Sequence, residues 1–208
     1  MNPSTDTNLL AIKSWLGTGS INIFGLPYAG KDTHGKWLSD LFGATLLGGG
    51  DIMRNSIIPD HVKTIIDAGG LAPTDEYMRI VLPYLSNDVF RDKPMVLSSV
   101  GRWHGEEQGV LEATEQSGHP IKAVIYLHIS MQTANSRFNR ALETGDRGLR
   151  RDDDKEKLIV RFSEFAEKTL PVIEFYRNKG LLIEIDGNPP VEEVRGEIIR
   201  QLRTFAER

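Results

Sequence analysis

The segment SINIFG (20–25) is a short apolar run with β-branched residues that stops at Gly25. GLPYAGKDT (25–33) follows, and Trp37, Leu38, Leu41 and Phe42 then recur at helical spacing, so the order is strand, glycine-rich loop, helix. A brief ATLL segment (44–47) leads to Gly48, Gly49 and Gly50; PMVLSS (94–99) and KAVIYLHI (122–129) are further strand candidates, apolar enough for the interior of a parallel sheet, and GLLIEIDG (180–187) supplies another. Helical patterns fall between them. Asp51 is expected to cap a helix containing Met53, and Asp60 to start another through Val62, Ile65 and Ile66. Pro73 and Thr74 introduce one bearing Tyr77, Ile80, Val81 and Leu85, which Pro83 is expected to kink or shorten. Glu106 to Thr114 reads as a helix. The polar stretch 143–157 reads as an exposed connection into a long amphipathic helix with Leu158, Phe162, Phe165 and Leu170, and 190–206 as a terminal helix. Ahead of all this, Asn2 to Thr7 predicts a loose arm before a short helix around Leu9 to Trp15. Strands alternating with helices favour an open α/β sheet.

The chain has 208 residues, the size of one α/β domain, and no repeat of solenoid length. Lys and Arg number 25 against 29 Asp and Glu, an acidic balance that argues against a general nucleic-acid or anionic-membrane binder. There is no basic start followed by an apolar run and no spanning-length apolar stretch, so a cytoplasmic protein is expected. With no cysteine, disulfides, thiolate metal sites and a Cys nucleophile are excluded. The five histidines are dispersed without ligand spacing.

The loop is where chemistry concentrates. Gly25, Gly30 and Lys31 have the spacing of a phosphate-binding loop, in which backbone N–H groups face an anion and the lysine adds a mobile positive charge. The strict pattern is broken because Asp32 follows Lys31 and the hydroxyl residue comes next, as Thr33. Asp32 puts negative charge beside a phosphate site and needs a metal or an outward rotamer.

With GLPYAGKDT, GGGDIMR (48–54), DAGGL (67–71), the Arg150/Asp152/Asp153 group with Arg161, and TLPVIEFYRNKGLLIEIDG (169–187, including Pro171 and Tyr176) in this order, the chain resembles adenylate kinase and the wider nucleoside monophosphate kinase family. The resemblance implies a three-layer phosphate-loop nucleotide kinase fold with a parallel central sheet. It implies a domain over 20–208 preceded by an extension over 1–19, with a helical monophosphate-binding insertion at 52–84 and a short lid at 141–150. It also implies phosphoryl transfer from ATP to AMP, giving two ADP, with Mg2+ as the metal and the chain acting as a monomer. The donor nucleotide would lie on Gly25, Pro27, Ala29, Gly30, Lys31, Asp32 and Thr33, with Arg137 and Arg140 from the lid side and Asp32 and Thr33 toward the metal. The acceptor would meet Gly49, Asp51, Arg54, Leu71 and Arg102, and Lys31, Arg102, Arg150 and Arg161 would surround the transferring group.

The family pattern is also altered. SSVGR (98–102) stands where DGFPR is usual, leaving Ser98 at the acidic position and Arg102 as the basic match; Asp32 is then expected to take over part of the metal organisation through a bound water. The glutamine that contacts the acceptor base is matched by Gln108 if two extra residues are allowed, and by Glu106 if spacing is kept. Gly49 replaces the threonine expected in adenine-selective members, and Ala72 follows Leu71 in the base pocket. AMP leads as acceptor, with CMP, UMP or GMP as alternatives, and a nucleotide-binding regulatory protein with impaired transfer as the non-enzymatic one.

Overall fold

The computed structural model describes residues 3–144 and 154–208. Its described residues form one sheet of five parallel strands, β1 (Ser20–Gly25), β2 (Thr45–Gly48), β3 (Met95–Ser98), β4 (Ile121–His128) and β5 (Leu182–Asp186), in the order β2-β3-β1-β4-β5. β1 is central and buried along its whole length, as its unbroken apolar run requires. Ile23 and Val96 face α2 (Lys31–Phe42), whose Gly35 lets the helix lie close on the sheet. α10 (Val191–Ala206) lies beside α2, with the Arg195 guanidinium over the Trp37 ring, and packs on α1 (Pro3–Leu16). On the opposite face, Phe24 meets Tyr176 of α9 (Leu170–Asn178), next to α6 (Glu107–Gln116). Helices on both faces of a parallel sheet make three layers. Fully buried Ile21, Ile23 and Phe24 tie them together, each worth roughly 1.5–3 kcal/mol relative to exposure.

α3 (Gly49–Arg54), α4 (Asp60–Asp67) and α5 (Thr74–Leu85) occupy the stretch between β2 and β3, and Val62, Val81 and Leu85 join the same core. Asp51 and Asp60 lie inside the first turns of α3 and α4, where a carboxylate complements the helix dipole, and are not caps. Pro83 does not end α5, because it falls in the last turn and forfeits only one backbone bond. At the N-terminus, α1 begins at Pro3, where a loose arm was expected; proline suits a first helical turn, whose N–H groups have no helical partner. The long helix expected around 158–170 is instead α8 (Lys155–Glu164), a π turn (Phe165–Thr169) and α9. The wider turn rotates Leu170 off the buried stripe of Leu158, Phe162 and Phe165, leaving it 40% exposed. α7 (Met131–Thr144) takes in the first residues of the expected lid. The rest of that lid, with Arg150, Asp152 and Asp153, lies outside the described residues. No helix among the described residues is long and apolar enough to cross a membrane.

Candidate active site

β1 and β3 are neighbours, yet α2 leaves β1 on one face and α6 leaves β3 on the other. Their following loops therefore diverge and open a crevice at the carboxyl ends of the strands. The cleft there is lined by Pro27, Tyr28, Lys31 and Asp32 after β1, by residues 48–51, Met53 and Arg54 after β2, and by Ser98, Ser99, Arg102 and Glu106 after β3. Arg161 enters from α8, and Ile66, Leu71, Ala72 and Tyr77 form its far end.

The loop that begins the cleft is shaped by close approach. A Cβ at Gly25 would stand 2.8 Å from the Leu127 carbonyl oxygen, and Gly30 caps α2 with φ 95°, a conformation that side chains disfavour. Gly30 brings no side-chain acceptor, so the first-turn amides of α2 remain suited to an anion. Lys31 Nζ donates to the carbonyl oxygens of Gly25 (2.8 Å) and Leu26 (2.9 Å), which holds the ammonium over the loop. Tyr28 is in the left-handed region (φ 66°). Its carbonyl accepts from Arg137, which also donates to Gly187 at 2.7 Å. Arg137 thus braces the loop against the turn after β5. Arg140 is exposed on α7, and Thr33 is exposed outside the cleft wall.

Opposite the loop are three guanidinium groups. Arg54 is partly exposed, and its Nη2 lies 2.5 Å from Asp51 Oδ1, leaving the remaining N–H groups of its fork for a phosphate. Enclosure lowers the Arg102 pKa, and the Arg161 guanidinium lowers it further, so these two cations stand close enough to repel and an anion between them would relieve both. The Arg102 backbone is anchored by Thr169 Oγ1, which donates to its carbonyl at 2.9 Å, so the π turn ties the loop to the end of α8. Sequence reasoning missed Asn22. This buried β1 residue donates from Nδ2 to the Val100 carbonyl (2.8 Å) and accepts from the Val100 N–H (3.3 Å), fixing the loop that carries Arg102. A polar residue inside SINIFG was the available signal.

Asp32 and Ser98 meet across the cleft floor, with Ser98 Oγ 3.5 Å from Asp32 Oδ1. A carboxylate from α2 thus lies beside the end of β3. No group of three or more metal-ligating side chains occurs among the described residues. One carboxylate with a neighbouring hydroxyl suits Mg2+, which keeps waters and phosphate oxygens as its other ligands.

At the far end, Gly49 is buried because Tyr77 occupies the space beside it: a Cβ there would lie 2.6 Å from Tyr77 Oη. That hydroxyl accepts from the Gly101 N–H at 2.9 Å. Glu106, only 2% exposed, belongs to the cleft wall, whereas Gln108 is exposed on α6 and donates to Glu112 Oε1. Preserved spacing, and not the matching residue type, brings the nearer side chain to the cleft.

This crevice, with the glycine-rich loop and Lys31 on one wall and arginines on the other, fits what the chain is similar to. An adenylate kinase family model matches residues 23–181. The chain belongs to the adenylate kinase family. It is 32% identical over 186 residues to an adenylate kinase of Leifsonia xyli subsp. xyli, covering 86% of this chain and 91% of the relative. It is 31% identical over 186 residues to an adenylate kinase of Agrobacterium fabrum, covering 86% and 94%. The adenylate kinase family match takes in the phosphate loop, the α3–α5 segment, Arg102 and Arg161; α1 and α10 lie outside it.

Proposed function

We propose that the chain catalyses reversible phosphoryl transfer from ATP to AMP, forming two ADP, with Mg2+ accompanying ATP. The observation that carries this reading is the convergence of Lys31, Arg54, Arg102 and Arg161, from four separate elements, on one cleft with an apolar-walled far end. Two nucleotide anions approach each other only where fixed cations offset their repulsion. Lys31 and the first-turn amides of α2 hold the donor phosphates, and Arg54 holds the acceptor phosphate. Arg102 and Arg161 flank the group in flight, joined by Arg150 on the strength of the family resemblance. An oxygen of the AMP phosphate forms a bond to the γ-phosphorus as the bond to the β,γ-bridging oxygen breaks, and ADP leaves with that electron pair. No covalent enzyme intermediate is needed. The guanidinium groups face the charge that spreads over the equatorial oxygens, so they favour the transition state over either bound nucleotide. Met53, Ile66, Leu71 and Ala72 exclude water from the acceptor base. Arg137 serves the donor side by holding the shape of the phosphate loop, and Arg140 is placed on the same helix.

Asp32 would hold Mg2+ through a water, with Ser98 orienting the carboxylate and Thr33 as an alternative hydroxyl ligand. When bound, magnesium neutralises part of the charge on the donor phosphates. Asp32→Asn keeps the shape and removes the charge, and is expected to raise the magnesium concentration for half-maximal turnover roughly 10-fold, the scale of an outer-sphere loss. An unchanged magnesium titration and maximal rate would remove Asp32 from this role.

The reading itself is tested with purified protein, ATP and Mg2+ incubated separately with AMP, CMP, UMP, GMP and deoxy-AMP, against an ATP-only control, with every nucleotide product resolved. Conversion of ATP and AMP to two ADP as the dominant reaction is the expected result. Preference for another monophosphate changes the substrate and keeps the mechanism. ATP binding without transfer to any acceptor makes the chain a nucleotide-binding regulatory protein.

A further inference from the structure

The loop after β3 that carries Arg102 follows a strained path and is anchored at each residue from 99 to 102. Ser99 lies in the left-handed region (φ 53°), which side chains disfavour, and Gly101 lies there too, at φ 67°. The Ser99 N–H donates to the Ile23 carbonyl at 3.0 Å, the Val100 backbone is paired with the Asn22 side chain, and the Arg102 carbonyl accepts from Thr169. Those anchors belong to β1 and the π turn. The remaining one is the bond from the Gly101 N–H to the Tyr77 hydroxyl, and it comes from α5. Glycine is the most permissive link in the loop, and its anchor ties the loop to the α3–α5 segment.

The same hydroxyl also meets α3. A Cβ on Gly49, the first residue of the helix that ends in Arg54, would stand 2.6 Å from Tyr77 Oη and 2.9 Å from the Ser99 carbonyl oxygen. Glycine at 49 therefore lets the start of α3 close onto the phenol, while the phenol holds Gly101. Tyr77 is buried, yet it borders the cleft. Resting on the transfer reading above, we propose that the Tyr77 hydroxyl is a positioning group for the reaction, spacing Arg54 and Arg102 so that the acceptor phosphate and the transferring group meet in register. In this role Tyr77 contacts no reacting atom. It acts through the backbone on either side of it, Gly49 at the start of the Arg54 helix and Gly101 immediately before Arg102. Phenylalanine would fill the same ring space and leave the buried Gly101 N–H without its acceptor, so the loop would relax where glycine allows it most. A shift of Arg102 on the order of 1 Å is enough to cost transfer, because a guanidinium fork is directional.

The test compares one substitution in the intact protein with and without the Arg102 side chain. Tyr77→Phe is expected to lower kcat for transfer from ATP to AMP about tenfold, part of the roughly 10²-fold that a misplaced group can cost, with KM for ATP unchanged. In an Arg102→Ala protein, assayed at raised enzyme concentration, the same substitution should change kcat by less than about twofold, because nothing remains for it to position. A purely structural role gives another pattern, a lower melting temperature and the same fractional loss of kcat in both backgrounds. Equal losses therefore overturn the inference, as does a wild-type kcat in Tyr77→Phe, and either result leaves the proposed reaction standing. An Arg102→Ala protein with undiminished kcat overturns it too. Should Tyr77→Phe fail to fold, Gly49→Ala reaches the same bond from the other side by displacing the hydroxyl. Its loss of kcat should likewise shrink when the Arg102 side chain is absent, and an equal loss again overturns the inference. Absence of transfer to AMP by the wild-type protein defeats the proposed reaction and this inference with it.

Discussion

Lys31→Met is expected to reduce the rate of transfer from ATP to AMP by about 10³-fold, the upper range for loss of one preorganised charged donor at a reaction centre. Methionine has nearly the length of lysine and no charge, so the change isolates the ammonium. In the free protein that ammonium is held by the carbonyl oxygens of Gly25 and Leu26, and the loop around it is set by other features. Those are the close approach of Gly25 to Leu127, the left-handed Gly30 and the brace from Arg137. The core does not depend on Lys31, and thermal unfolding should remain within about 1 kcal/mol of the wild type. Single-turnover transfer and a melting curve on the same preparation check both halves. A normal rate in a folded Lys31→Met protein would place the transfer centre elsewhere.

Arg161→Ala is expected to cost transfer about 10³-fold or more, in the range of an arginine that neutralises charge on a moving phosphoryl group. The loss should appear in kcat, because the contact strengthens as the charge spreads, while KM for ATP changes less. Arg161 ends in a cleft shared with Arg102, whose pKa is lowered by enclosure first and by Arg161 as well. Removing one of these two neighbouring cations weakens the anion site, and a melting curve on the same preparation separates that loss from any loss of stability. Arg161→Lys discriminates further: it restores the charge without the planar fork, and only partial rescue is expected if bidentate geometry matters. Full activity in Arg161→Ala would assign the transition-state charge to other residues.

Much of the fold was legible because buried parallel strands and their helices leave local signals. SINIFG (20–25), PMVLSS (94–99) and KAVIYLHI (122–129) are stretches rich in β-branched or aliphatic residues, and each forms a strand within a residue or two of the expected limits. The glycine-rich loop between β1 and α2 was equally legible, since its glycines act through backbone geometry that spacing encodes. The departures have physical causes that act across the chain. Leu170 leaves the buried stripe because a π turn intervenes, and that turn is held by the bond from Thr169 to the Arg102 carbonyl, 67 positions away in sequence. Gln108, the second residue of α6, is exposed and donates to Glu112, whereas Glu106 stands where the helix begins and lines the cleft. Asn22 and Tyr77 carried no motif at all.

By itself the sequence determined the alternation of strand and helix, the glycine-rich loop after β1, and which basic residues were available to line a cleft. Each of these depends on residue type and short spacing. Tertiary structure alone decided which of those residues share a cleft. It set Tyr77 into the space left by Gly49, brought the Ser98 hydroxyl to Asp32, placed Arg102 near Arg161, and enclosed Glu106 so that burial raises its pKa. Distance and burial govern electrostatics, and neither exists until the loops after β1, β2 and β3 are folded side by side.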